Sequence, residues 1–261
     1  MYNFEFTKPT TIADAVSALA QEEAQALGGG QTLLPTMKQR LAQMDVLVSL
    51  NGISDMVGIC GDDDGRVCIG GATTHAAVAA DGRYPGLASL AGRIGDPAVR
   101  NRGTIGGSLA NNDPSACYPA AALASNATIV TNTREIAADD YFQGMFETAL
   151  EDGEIITEVR FPVPEASNYQ KFVQPASRFA LVGVFVAKFS DGVRVAVTGA
   201  SSDGVFRWAE AEAALSGDFS KAAVDALAVP EGDMIADLHG TAAYRAHLVK
   251  VLTGRAVEAA A

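Results

Sequence analysis

The chain has 261 residues without an internal repeat, 48% of them apolar, enough for a sizeable core in one large domain or two modest ones. Nineteen Lys and Arg against 31 Asp and Glu leave a net charge of −12, which argues against nucleic acid and anionic membranes as partners. Met1-Tyr2-Asn3-Phe4-Glu5 does not open a secretory signal, and the longest apolar run, near Phe179–Val186, falls far short of the roughly 20 residues of a membrane helix. A soluble, cytoplasmic protein is expected.

Phe4 and Phe6 alternate with polar neighbours and read as a short strand. Thr11 and Asp14 have the spacing of a capping box, and Ile12, Ala15, Val16 and Leu19 recur at helical period, predicting a helix over 11–21. Gln25–Leu27 reads as a strand leading into Gly28-Gly29-Gly30, with a helix over 33–42 and a strand over 45–50 after it. Asp64-Gly65 between Val57–Cys60 and Arg66–Ile69 predicts a hairpin. Helices follow at 74–80 and 85–93, then a glycine-rich loop at Gly103–Gly107. Asp113 as cap and Pro114 as first residue predict a helix running to Ala124. Ala127–Thr131, Arg134–Ala137 and Glu154–Phe161 read as strands. The polar stretch 162–168, with Pro162 and Pro164, is the expected domain boundary. Beyond it, Asp191-Gly192 joins Phe179–Phe189 and Val193–Gly199 into a second hairpin. Helices at about 207–215, 220–228 (capped by Ser220) and 241–257 complete an α+β arrangement.

Cys60, Cys68 and Cys117 include no CxxC pair, and His75, His239 and His247 are scattered, so no metal site is expected. The chemistry gathers in two glycine clusters. Ala26-Leu27-Gly28-Gly29-Gly30-Gln31-Thr32-Leu33 lies between a strand and a helix, where free N–H groups suit a pyrophosphate and Thr32 adds a hydroxyl; a plain flexible turn fits it as well. It is neither a P-loop nor a G-x-G-x-x-G turn. Arg102-Gly103-Thr104-Ile105-Gly106-Gly107-Ser108 runs on to Asn111, Asn112 and Asp113, which fit local turns and caps equally. Two such loops about 75 residues apart suggest one extended ligand held at two places.

At these clusters the chain resembles the FAD-binding medium subunits of molybdenum hydroxylases, most of all the aerobic carbon monoxide dehydrogenase branch, with xanthine dehydrogenase-type flavin domains more distant. Gly29-Gly30-Gln31-Thr32-Leu33 and Thr104-Ile105-Gly106-Gly107-Ser108 match the family's two flavin loops. Ile94–Gly103, Glu154–Pro162, Pro175–Phe179 and the helix from Tyr244 to Arg255 are also family-like.

The resemblance implies a two-lobed FAD-binding domain of vanillyl-alcohol-oxidase (PCMH) type over 1–165, divided near 53/54, and an antiparallel sheet with a helical bundle over 166–261. It implies that the backbone of Leu27, Gly28, Gly29, Gly30, Gln31, Thr32 and Leu33, and of Thr104, Ile105, Gly106, Gly107 and Ser108, holds the pyrophosphate, with Asn111 among the cofactor contacts. Ile94 falls near the flavin ring and Ile156 at its edge, though core packing explains both. A basic residue is expected to face the ring near Lys171–Gln174; strict register selects Gln174, with Lys171 three residues away. Cys117 stands where the family commonly has a cofactor-contacting Asp, and reads either as a small buried apolar residue or as a reactive thiol.

The function so implied is electron transfer. FAD here would receive electrons from the [2Fe–2S] clusters of a small subunit, fed by the molybdenum cofactor of a large subunit in a dimer of heterotrimers, and pass them to an external acceptor. The alternatives are a free-standing FAD-dependent reductase of the same superfamily and an assembly subunit that has lost FAD.

Overall fold

The computed structural model describes residues 1–260; Ala261, the last residue of the expected second domain, lies outside the described residues. The chain builds three main sheets in sequence.

The first holds β1 (Glu5–Thr7), β2 (Ala24–Leu27) and β3 (Val46–Ser49), with β1 and β2 both parallel to the central β3. Parallel neighbours need crossovers, here α1 (Ile12–Leu19) and α2 (Leu33–Lys38). Thr11 caps α1, its Oγ1 accepting the Asp14 N–H at 3.1 Å. The helix predicted over 33–42 stops at Lys38 because Arg40 turns left-handed, at φ 61°.

The second sheet is ordered β4-β5-β10-β6-β7, from β4 (Ile59–Gly61), β5 (Val67–Gly70), β6 (Thr128–Thr131), β7 (Glu135–Ala137) and β10 (Ile156–Phe161). Between them run α3 (His75–Ala80), α4 (Pro85–Gly92), α5 (Pro97–Arg100), α6 (Ile105–Asn111), α7 (Tyr118–Ala124) and α8 (Ala138–Tyr141), with a small pair β8 (Phe142–Gly144) and β9 (Glu147–Thr148). One face supplies Val67, Ile69, Ile129, Ile136, Val159 and Phe161 to the core; the other carries Cys60, Cys68, Glu158 and Arg160.

The third sheet is the antiparallel meander β11 (Ala166–Val173), β12 (Ala180–Phe189), β13 (Gly192–Ser201) and β14 (Gly204–Arg207), followed by α9 (Ala209–Gly217), α10 (Lys221–Asp225) and α11 (Ala242–Ala260). β12 is covered on both faces, which explains its unbroken apolar run. Val182, Val184 and Val186 pack toward α9–α11, while Phe185 and Ala187 join Tyr84 and Phe161 in the core of the second sheet. That core therefore crosses the expected boundary at 165/166.

Several expectations need correcting. The stretch 103–107 is not wholly loop: Thr104 caps α6, which opens at Ile105. Asp113 does not start a helix; its carboxylate accepts the Ser115 N–H at 2.8 Å and its carbonyl the Ala116 N–H at 2.8 Å, a local turn that delays α7 to Tyr118, with Pro119 in its first turn. β11 begins inside the stretch read as a linker. The short elements α5, α8, β8, β9 and β14 were not legible as periodic patterns.

Candidate functional site

The turn after β2 and the segment opening α6 lie against each other. A Cβ on Gly29 would fall onto the Arg102 carbonyl and the Gly103 Cα; one on Gly28 would meet Thr104 Oγ1 at 2.9 Å. Gly30 takes φ +70°, a conformation that strains residues with a Cβ. Only glycines let these two backbones approach so closely.

The two segments differ in what they offer a ligand. The N–H groups of Gly28 to Leu33 donate to no protein acceptor among the described residues, and Gly29 is buried. Gly29 is the one buried residue of the six, where an unpartnered donor is rare, and a consecutive series of free N–H groups ahead of a helix favours an anion. At the second cluster four of the five amides are already used: Ile105 N–H goes to Thr73 O (3.1 Å), Gly106 to Gly71 O (2.9 Å), Gly107 to Thr104 Oγ1 (3.1 Å) and Ser108 to Thr104 O (3.0 Å). What remains there is the Thr104 N–H, which donates to no protein acceptor among the described residues, and side-chain chemistry from Thr104, Ser108 and Asn111.

Both segments line one cavity of about 720 Å³, the scale of a cofactor pocket. The structure brings Leu27 through Leu33, Ile94, Thr104, Gly106, Gly107, Ser108, Asn111, Cys117, Ile156 and Lys171 to its wall. Ile105 is the exception, its side chain fully buried in the core beneath α6. Lys171 lines the cavity and Gln174 does not; Gln174 instead donates its N–H to Phe179 O at 2.9 Å in the turn between β11 and β12.

Lys171 is a buried cation. Its Nζ donates to Arg93 O (2.8 Å), Arg178 O (2.9 Å) and Cys117 Sγ (3.5 Å), one partner for each proton. Arg93 holds β11 in place, donating to Tyr169 O at 2.6 Å. Cys117, at the start of α7, is thus a polar contact of Lys171 and not only a space-filling apolar group.

Sequence reasoning assigned no site role to other wall residues, Gly71, Ala72, His75, Glu154, Ile155, Arg178 and Phe179, while Asp113, noted in the second cluster, also lines the cavity. The Gly70-Gly71 pair was the available signal for the first of these, since a Cβ on Gly71 would fall onto the Ile156 carbonyl. His75 is held neutral at pH 7, its pKa lowered to about 4 by burial first and by the Arg100 charge second. Glu154 is held ionised, lowered to about 2 chiefly by Arg134, which donates to both carboxylate oxygens at 3.0 Å, with Thr131 and Thr133 also donating.

The family model described as the FAD binding domain in molybdopterin dehydrogenase matches residues 2–164. The chain belongs to this family. Over 99% of its length it is 36% identical to the carbon monoxide dehydrogenase medium chain of Afipia carboxidovorans, covering 96% of that protein. It is also 36% identical to the nicotine 6-hydroxylase medium subunit of Paenarthrobacter nicotinovorans, over 97% of this chain and 95% of the relative. Among solved structures, reconstituted CO dehydrogenase from Oligotropha carboxidovorans superposes with a TM-score of 0.90 at 34% identity, covering 99% of this chain and 98% of that one. Quinoline 2-oxidoreductase from Pseudomonas putida 86 reaches 0.89 at 26% identity, covering 99% and 97%. The family's cofactor, FAD, suits this cavity: acceptor-less amides for phosphate oxygens and an apolar wall at Ile94, Ile155 and Ile156 for a ring system.

Proposed function

We propose that this chain binds FAD across its two glycine segments and serves as the electron-transfer subunit of a molybdenum hydroxylase-type complex. The observation that carries this reading is the series of N–H groups over Gly28–Leu33 without a protein acceptor, set beside Thr104–Ser108 in one cavity. Bound there, FAD supplies two-electron redox chemistry, linking the [2Fe–2S] clusters of a partner subunit to an external acceptor.

The chain's own residues bind and orient the cofactor. The amides of Gly28–Leu33 hold the pyrophosphate, while Thr104 Oγ1, Ser108 Oγ and the Asn111 side chain take further polar contacts. Ile94 and Ile156 cover the ring, with Lys171 and Cys117 at the same wall. Family membership supports partners of two kinds, a molybdenum-cofactor large subunit and a [2Fe–2S] small subunit, assembled as a dimer of heterotrimers in the cytoplasm. In this reading 1–165 is the flavin domain, with lobes 1–53 and 54–165, and 166–261 is a second domain packed against it. No helix among the described residues is long and apolar enough to cross a membrane.

An absorption spectrum tests the proposal. After mixing with FAD and desalting, the chain alone or its co-expressed complex should retain about one flavin per chain. Retention in neither refutes the electron-transfer role and favours the assembly-subunit alternative. Turnover of a small substrate by the isolated chain favours the free-standing reductase.

A further inference from the structure

On the face of the second sheet turned away from the core, the β4–β5 hairpin sets Cys60 directly opposite Cys68, and β10 lays Glu158 beside them. The two Sγ atoms and a Glu158 carboxylate oxygen all lie within 4.8 Å of one another. Asp62 Oδ2 lies 3.7 Å from Cys68 Sγ. None of the four residues lines the flavin cavity. We infer that Cys60, Cys68 and Glu158 form a binding site for one thiophilic divalent cation of the zinc or cadmium type, with Asp62 beside Cys68.

Two thiolates and one carboxylate, with water in the fourth position, are a donor set such ions accept in tetrahedral geometry. Zinc–ligand distances of about 2.0–2.3 Å place neighbouring donor atoms roughly 3.3–3.8 Å apart in a tetrahedron. The three donor atoms lie within 4.8 Å of one another, and Cys60, exposed on the edge strand β4, can close the remaining distance by side-chain rotation. The ligand carboxylate is held in place, Arg160 Nε donating to Glu158 Oε1 at 2.6 Å. The absence of a CxxC motif is no obstacle, because the hairpin register, not close spacing, brings the thiols together. Bound metal would tie edge strand β4 to β10.

The test uses the reduced, chelator-stripped full chain titrated with Zn²⁺ and, separately, Cd²⁺. One equivalent per chain is expected, with a thiolate-to-cadmium charge-transfer band. Cys60→Ser and Cys68→Ser should each weaken Zn²⁺ binding at least about tenfold, and Glu158→Gln about tenfold. FAD retention should stay unchanged in all three, which also reports that they fold. No uptake by the reduced chain, or undiminished uptake by the Cys60→Ser/Cys68→Ser double variant, overturns the assignment.

Discussion

Replacing Gly29 by Ala tests the claim that backbone approach, and not loop flexibility, explains the first glycine cluster. The new Cβ would overlap the Arg102 carbonyl and the Gly103 Cα, both backbone atoms that no side-chain rotation can move aside. Overpacking of this kind costs roughly 1–3 kcal/mol. The strain is relieved only if the two segments separate, and that widens the gap a dinucleotide must bridge. If most of the strain falls on the bound state, FAD affinity drops about tenfold to a hundredfold, since each ~1.4 kcal/mol is one factor of ten. Gly82→Ala is the control, because a Cβ there meets nothing within 4 Å. Equilibrium dialysis of FAD and thermal melting of the FAD-free chain measure the two terms. A Gly29→Ala protein with affinity within twofold of the parent and unchanged melting would refute the reasoning, and the cluster would then be a flexible turn.

Lys171→Met should destabilise the chain by roughly 1–3 kcal/mol in urea titration, because the Arg93 and Arg178 carbonyls lose their donor in a buried setting. FAD retention should fall with it; unchanged values for both would remove Lys171 from the site. Acid should weaken the fold in two windows. His75, whose folded pKa is lowered from 6.5 to about 4, withdraws stability as pH falls from about 6.5 toward 4, and His75→Gln should flatten that part of the profile. Glu154, lowered from 4.5 to about 2, contributes stability that is present above about 4.5 and lost as pH falls toward 2. Glu154→Gln should remove roughly 1–3 kcal/mol of it at pH 7, less than the full shift because Arg134 is partly exposed. Arg245→Met should cost about 3 kcal/mol by melting, since the buried guanidinium donates to Leu181 O and Gly199 O, each at 2.7 Å, and pairs with Asp237 at 2.8 Å.

The amino-acid sequence by itself determined what neighbours along the chain can decide. Thr11 and Ser220 cap helices through N–H groups three residues on. Asp64-Gly65 and Asp191-Gly192 close hairpins between adjacent strands. The strand, three glycines and helix at Ala24–Lys38 were legible for the same reason, and so were the two loop motifs that mark the family. Tertiary structure decided the rest, because the partners are distant in sequence. The second cluster spends two amides on Thr73 and Gly71, more than 30 residues upstream, and two on its own Thr104, so one free amide and side chains remain where a full backbone cradle was expected. Lys171 reaches Cys117 across 54 positions and lines the cavity, where Gln174 does not. Ile105 faces the core because α6 lies on it, and Cys60 meets Cys68 and Glu158 only through strand register. Capping and turn chemistry act within a few residues and leave their signature in local spacing. Packing and long-range hydrogen bonds join segments whose separation in sequence says nothing of their distance in space.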